Sequence, residues 1–268
     1  MHNCQQDGQR VLHLHEGAII ALELPSPDRR LDRTGLEWGD ACVMKSPAFW
    51  AAQAWMWELE EPDHFRLGRS LEEEVMACLL GGYGIPSEVG LAAYERVRQA
   101  WHTRPSDVMD EVRLEELLSI PLPVGGRTVR YRFPAQKARY LSGALASLAS
   151  LDRSLPDVAL RNQLNGIRGI GPKTASWIVR NWRGSDEVAI LDVHILRVGR
   201  SLGLFEQNLQ VERHYARLER RFLDFAEDLR VRASILDSVI WMAMRQEDRV
   251  VRGKIGARPN GQLEMVLA

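Results

Sequence analysis

Cysteine is scarce in this chain of 268 residues: Cys4, Cys42 and Cys78 form an odd and scattered set. Such a set excludes a disulfide-stapled scaffold and fits a reducing cytosol. The seven histidines show no metal-ligand spacing, so no bound metal is expected, and His13-x-His15 is read as part of a strand. No apolar stretch is long enough to span a bilayer, and neither a signal peptide nor a basic transit segment opens the chain. The expectation is a cytoplasmic protein with no membrane partner. Excess charge is missing too: a formal net charge of −1 argues against strong, salt-driven global attraction to a polyanion. Internal repeats and low-complexity tracts are absent. What remains, 45% hydrophobic and 26% charged residues, is an ordinary globular composition, long enough for one large domain or two small lobes.

Three segments follow from the pattern. Residues 1–69 hold short strands at Val11–His15 and Ala18–Leu24 around Glu16-Gly17, then a loop over 25–45, then a helix opened by Ser46-Pro47 that carries Trp50, Trp55 and Trp57. Residues 70–252 open on Ser70-Leu71-Glu72-Glu73, a capping box, and read as a mostly helical core. Within it, Gly125-Gly126 separates two possible short strands ahead of the helix KARYLSGALASL. Residues 253–268 read as an extended or loosely docked tail.

The informative stretch is LNGIRGIGPKTASWIVRNWRGSDEVAILDVH, residues 164–194, with a helix-hairpin-helix over about 156–183. Pro156 suits the first turn of a helix reaching about Leu164, with Ser154 as a possible cap and Gly166 as a left-handed stop. Gly169 and Gly171 then allow a tight turn, and Pro172 opens a second helix with Ala175, Ile178, Val179 and Trp182 on one face. Such a turn offers main-chain amides to an anion, a phosphate above all, although glycine turns between helices are also common in ordinary helical domains. Lys173 stands one residue inside that second helix, where burial and the positive end of the dipole both disfavour an ammonium. Asp192, nineteen residues on, is placed to cap the helix VHILRVGRSL. An amine and a carboxylate delivered together suit Schiff-base chemistry on a sugar carbon. Between residues 160 and 200, seven basic residues (Arg161, Arg168, Lys173, Arg180, Arg183, Arg197 and Arg200) outnumber three acidic ones. Together with a basic tail of Arg249, Arg252, Lys254 and Arg258, this is permissive of nucleic-acid contact or of solvated helix faces.

Leu164, Ile167, Gly169, Ile170, Gly171, Lys173, Ala175 and the run Ile190-Leu191-Asp192-Val193-His194 resemble the helix-hairpin-helix DNA glycosylases, and within them the 8-oxoguanine glycosylase branch. The resemblance is specific over about thirty residues and looser over roughly Leu71 to Arg245. It implies a mainly α, two-lobed fold with the active site in the cleft and a small β-containing region at the N-terminus. It also implies base excision with AP lyase activity: Lys173 as the Schiff-base nucleophile and Asp192 as stabiliser of the charge developing on the sugar. Gly169, Gly171 and Lys173 would hold a phosphate through their main-chain amides and His194 would touch the DNA backbone. Hairpin carbonyls would hold a monovalent cation. All three cysteines precede the hairpin, so the iron–sulfur cluster that follows the aspartate in some relatives is absent. The partner expected is DNA carrying a modified base, bound by a monomer.

For the extruded base, Asp237 and Trp241 lie four apart, as a carboxylate and a stacking plane. A carboxylate accepts from the N1–H and N2 amine of a guanine-type base and repels pyrimidine carbonyls. Trp50, Trp55 or Trp57 would supply the opposing plane. Gly81, Gly82 and Gly84 would bring a loop close to DNA, with Tyr83 entering the gap, or would simply form a helix corner around a packed tyrosine. Two residues depart from the family pattern: Ile190 replaces a proline two residues before the aspartate, and Trp177 stands where some members carry a cysteine against the base. The expected substrate is 8-oxoguanine in DNA. Another modified base, including one carried by foreign DNA, and a non-catalytic DNA-binding module are the alternatives.

Overall fold

A computed structural model describes residues 8–60, 65–82 and 84–251. In chain order the elements are β1 (Gln9–His15), β2 (Ala18–Leu24), α1 (Pro47–Leu59), α2 (Leu71–Leu80), α3 (Ser87–Thr103), α4 (Pro105–Met109), α5 (Glu111–Ser119), β3 (Leu122–Val124), β4 (Arg127–Val129), α6 (Pro134–Ser147), α7 (Asp157–Asn165), α8 (Pro172–Arg183), α9 (Val193–Ser201), α10 (Val211–Asp228) and α11 (Ala233–Val251). The protein is mainly helical, with two small antiparallel hairpins. Each hairpin turns on two residues of positive φ, Glu16-Gly17 (48° and 82°) and Gly125-Gly126 (56° and 74°), the geometry whose twist matches paired strands. No helix among the described residues is long and apolar enough to cross a membrane.

The described chain forms two compact units, one from residues 8–60 with 186–251 and one from residues 65–185. The N-terminal segment therefore belongs with the last helices. In the first unit, α1 packs against α11 and the β1–β2 hairpin packs on α1. Its core gathers Trp50, Phe205, Phe222 and Phe225, and Lys45 bonds both carboxylate oxygens of Glu247 on α11 at 2.8 and 2.9 Å. In the second unit, α2 lies against α3, α6 and α8 around Leu71, Met76, Leu80, Leu141 and Leu164.

The helix ends explain the local fold and correct three readings. Ser46 and Ser70 cap α1 and α2 through the amides of Phe49 and Glu73. The Glu73 carboxylate returns to the amide of Arg69 at 2.7 Å rather than to Ser70, so the capping box is shifted by one residue. Ser154 does not cap α7; its hydroxyl bonds Asp152 at 2.6 Å, and Pro156 is itself the N-cap. Gly166 ends α7 in a right-handed conformation (φ −74°), so the reversal comes later, at Gly169 (φ 94°).

Candidate active site

The hairpin is shaped by its neighbours. A Cβ at Gly169 would stand 2.4 Å from the ring of Tyr140 on α6, and the backbone there is left-handed, so only glycine fits. Gly169→Ala is expected to displace the turn and destabilise the protein by roughly 1–3 kcal/mol, the usual range for positional strain and overpacking. Thermal melts and duplex-binding titrations measure the two effects. Gly171 differs: its φ is −83°, and a Cβ there would meet nothing within 4 Å. Contrary to the sequence reading, the turn does not require glycine at this position; the space beside it is open. Gly171 is also the N-cap of α8 and supplies no side chain to the first turn. The hairpin carbonyls of Gln163 and Ile167 accept from the amides of Gly166 and Ile170, and that of Leu164 accepts from Gly166 and Ile167.

Lys173 is half-buried in the first turn of α8, with its Nζ 5.7 Å from the ring centre of Trp177 one turn on. The indole in turn packs on the helix corner after α2, where a Cβ at Gly81 would lie 3.2 Å from it. That corner is held by two side chains: Tyr131 donates to the Leu80 carbonyl at 2.7 Å, and the Lys137 ammonium donates to the carbonyls of Leu79 and Gly81. Burial, and then the charge of Lys173, push the Lys137 amine down to about 8. Below that value the fold carries a desolvated cation; between about 8 and the ordinary 10.5 the unfolded chain binds the extra proton, so stability rises with pH. Denaturant titrations at pH 7.5 and 9.5 should show wild type gaining on the order of 1–2 kcal/mol relative to Lys137→Met.

Asp192 is the N-cap of α9, its Oδ1 accepting from the amides of His194 at 2.8 Å and Ile195 at 2.9 Å. The preceding segment is pinned to α10: the Ala189 amide donates to buried Glu219 at 3.0 Å, and the Tyr215 hydroxyl donates to the Ala189 carbonyl at 2.6 Å. His194 is half-buried, with Nδ1 3.9 Å from a carboxylate oxygen of Asp248. On α11, Asp237 is buried and accepts from Ser238 at 3.1 Å, while Trp241 is half-buried under the Arg245 guanidinium at 4.8 Å. Lys173 and Trp177 thus belong to the 65–185 unit, and Asp192, His194, Asp237 and Trp241 to the other. Tyr83 and the basic tail from Arg252 lie outside the described residues, as does the side chain of Arg249.

The 8-oxoguanine DNA glycosylase family matches residues 109–231, a span that includes the hairpin, Lys173 and Asp192. Over that span the chain is similar to the helix-hairpin-helix DNA glycosylases. An 8-oxoguanine DNA glycosylase/AP lyase of Methanocaldococcus jannaschii is 29% identical over 180 residues, covering 63% of this chain and 77% of the relative. One of Saccharolobus islandicus is 29% identical over 202 residues, covering 68% and 88%. The crystal structure of the Methanocaldococcus jannaschii protein superposes with a TM-score of 0.51 at 27% identity, over 66% of this chain and 80% of that one. An endonuclease III–DNA complex shares the fold, with a TM-score of 0.54 at 18% identity over 75% of this chain and 86% of that one.

Two side chains that the sequence reading missed hold the hairpin helix and the corner against which its Trp177 packs. Glu74, buried in α2, accepts from the amides of Leu67 and Gly68 at 2.8 and 2.9 Å and from Asn181 of α8 at 2.8 Å. Burial drives its carboxyl pKa upward against those bonds. Lys137 is the other, and a signal existed: it stands on the face of α6 that carries Leu141 and Leu145, a lysine in an apolar stripe. The basic surplus around the hairpin needs correction. Arg161 and Arg180 are buried, Arg183 pairs with Asp157 at 2.7 Å, and Arg197 pairs with Asp248 at 2.9 Å, whereas Arg168 in the turn is exposed. Trp50 is a core residue at 1% exposure and is no stacking plane.

Proposed function

We propose that this protein is a bifunctional DNA glycosylase and AP lyase that removes 8-oxoguanine from DNA. The observation that carries the reading is the pairing of an open glycine turn with a half-buried lysine in the following helix turn. Gly171 leaves its face clear although the fold does not need a glycine there, which suits close approach of a phosphate to the first-turn amides of α8. The hairpin carbonyls would hold a monovalent cation, which adds positive charge beside that phosphate.

In this mechanism the amine of Lys173 bonds to C1′ of the extruded nucleotide as the glycosidic bond breaks. The bonding pair leaves with the base, which takes up a proton. The carboxylate of Asp192 stabilises the positive charge that develops on the sugar. The adduct opens the deoxyribose ring to an imine, O4′ taking up a proton; loss of a C2′ proton then expels the 3′ phosphate by β-elimination. Asp237, buried on α11, accepts from the N1–H and N2 amine of the base, and Trp241 offers a stacking plane. His194 contacts the DNA backbone.

Borohydride trapping on a duplex containing 8-oxoguanine tests this directly: a covalent adduct is expected, and a non-catalytic binding module gives none. Trp177 favours a second reading within the same chemistry. Its indole fills the space between Lys173 and Gly81, so the base accepted there need not be 8-oxoguanine. A panel of modified-base oligonucleotides separates the two, because release of another base with 8-oxoguanine untouched moves the substrate and leaves the mechanism standing.

A further inference from the structure

The β1–β2 hairpin turns two histidines inward beside Val11, Ile20, Leu22 and buried Leu24. Along β1, Val11, His13 and His15 turn inward while Leu12 and Leu14 face solvent at 59% and 66% exposure, and Ile19, opposite Leu14, is 73% exposed. The outward leucines and isoleucine forfeit the transfer energy that a half-buried sheet normally collects, and two of the inward places go to imidazoles instead. What the inward histidines meet is the end of α1. Glu60, the C-cap residue of that helix, places Oε1 3.4 Å from His13 Nε2 and 3.6 Å from His15 Nδ1, and the edge of Trp55 covers His13 with ring centres 6.0 Å apart. The three ligand atoms all lie within 4.8 Å of one another.

We propose that His13, His15 and Glu60 form a binding site for a divalent first-row cation, zinc foremost. Two imidazole nitrogens and one carboxylate oxygen are the donors that zinc takes, and a tetrahedral ion with bonds of about 2.0–2.1 Å sets its ligand atoms roughly 3.4 Å apart. Both histidine–glutamate separations already match that spacing, so only the two rings need to draw together. Strand alternation puts both imidazoles on one face, and the end of α1 brings the Glu60 carboxylate to them. The site lies outside the span matched by the glycosylase family, and it stands independently of the proposed excision chemistry. Its role is to tie the turn end of the hairpin to the end of α1, where the inward side chains are histidines.

The test is a calorimetric titration of the chelator-treated full chain with zinc chloride, beside His13→Gln/His15→Gln and Glu60→Gln. One equivalent is expected to bind, with affinity reduced at least tenfold in each variant. Cobalt(II) should give tetrahedral ligand-field bands in the visible for the wild type and not for the double variant. Circular dichroism checks that the variants fold. Absence of zinc binding by the wild type, or binding that both variants retain undiminished, overturns the proposal; the second result would place the ion elsewhere in the chain.

Discussion

Lys173→Gln should leave no borohydride-trapped adduct and should lower strand cleavage at a modified base by a factor on the order of 10³ or more, the scale of losing an activated nucleophile. Glutamine keeps most of the side-chain length and its polarity but has no amine to form an imine. The structural cost is small, because the side chain is half-buried and its contact is the face of Trp177 at 5.7 Å, worth roughly 0.5–1 kcal/mol. The glycines and first-turn amides of the hairpin are untouched, so duplex affinity should persist. Gel-resolved cleavage, trapping and a binding titration on the same duplex read these three quantities. Undiminished trapping in the variant would assign the Schiff base to another amine, and Lys137 is then the first to examine, since it is the part-buried lysine whose charge state Lys173 influences.

Local chemistry made the hairpin legible. Gly169, Pro172 and Asp192 act within a few residues of themselves, through a left-handed backbone, a first-turn proline and a side-chain cap, and the structure places all three in those roles. Gly171 shows the limit of such reading: a glycine can be spared by its own backbone and still leave room for something else. Charge counting failed for another reason. Arg161 and Arg180 look like surface arginines in a list but are buried among α7 and α8, and no local pattern separates an arginine that meets solvent from one that meets a carboxylate far along the chain. Glu74 is the same case with the sign reversed, its partners Leu67 and Asn181 lying 7 and 107 residues away. The packing of α1 against α11, and the alignment of Glu60 with His13 and His15, depend on contacts that only the folded chain supplies.

A pair of substitutions at Asp192 separates capping from chemistry. Its Oδ1 accepts two amide protons at the start of α9, a task that asparagine performs equally well as an N-cap. Asp192→Asn should therefore shift stability by less than about 0.5 kcal/mol, whereas Asp192→Ala orphans both amides and should cost about 1 kcal/mol. Catalysis should rank the variants differently. Positive charge growing on the sugar is stabilised by a fixed negative charge, which both substitutions remove, so base release should fall on the order of 10²–10³-fold in each. Single-turnover base release and chemical denaturation give the two orderings independently. Full activity in Asp192→Asn, with loss confined to Asp192→Ala, would reduce Asp192 to a helix cap and transfer the electrostatic role to another group. Loss in both, with stability spared only in the asparagine variant, requires the carboxylate charge itself.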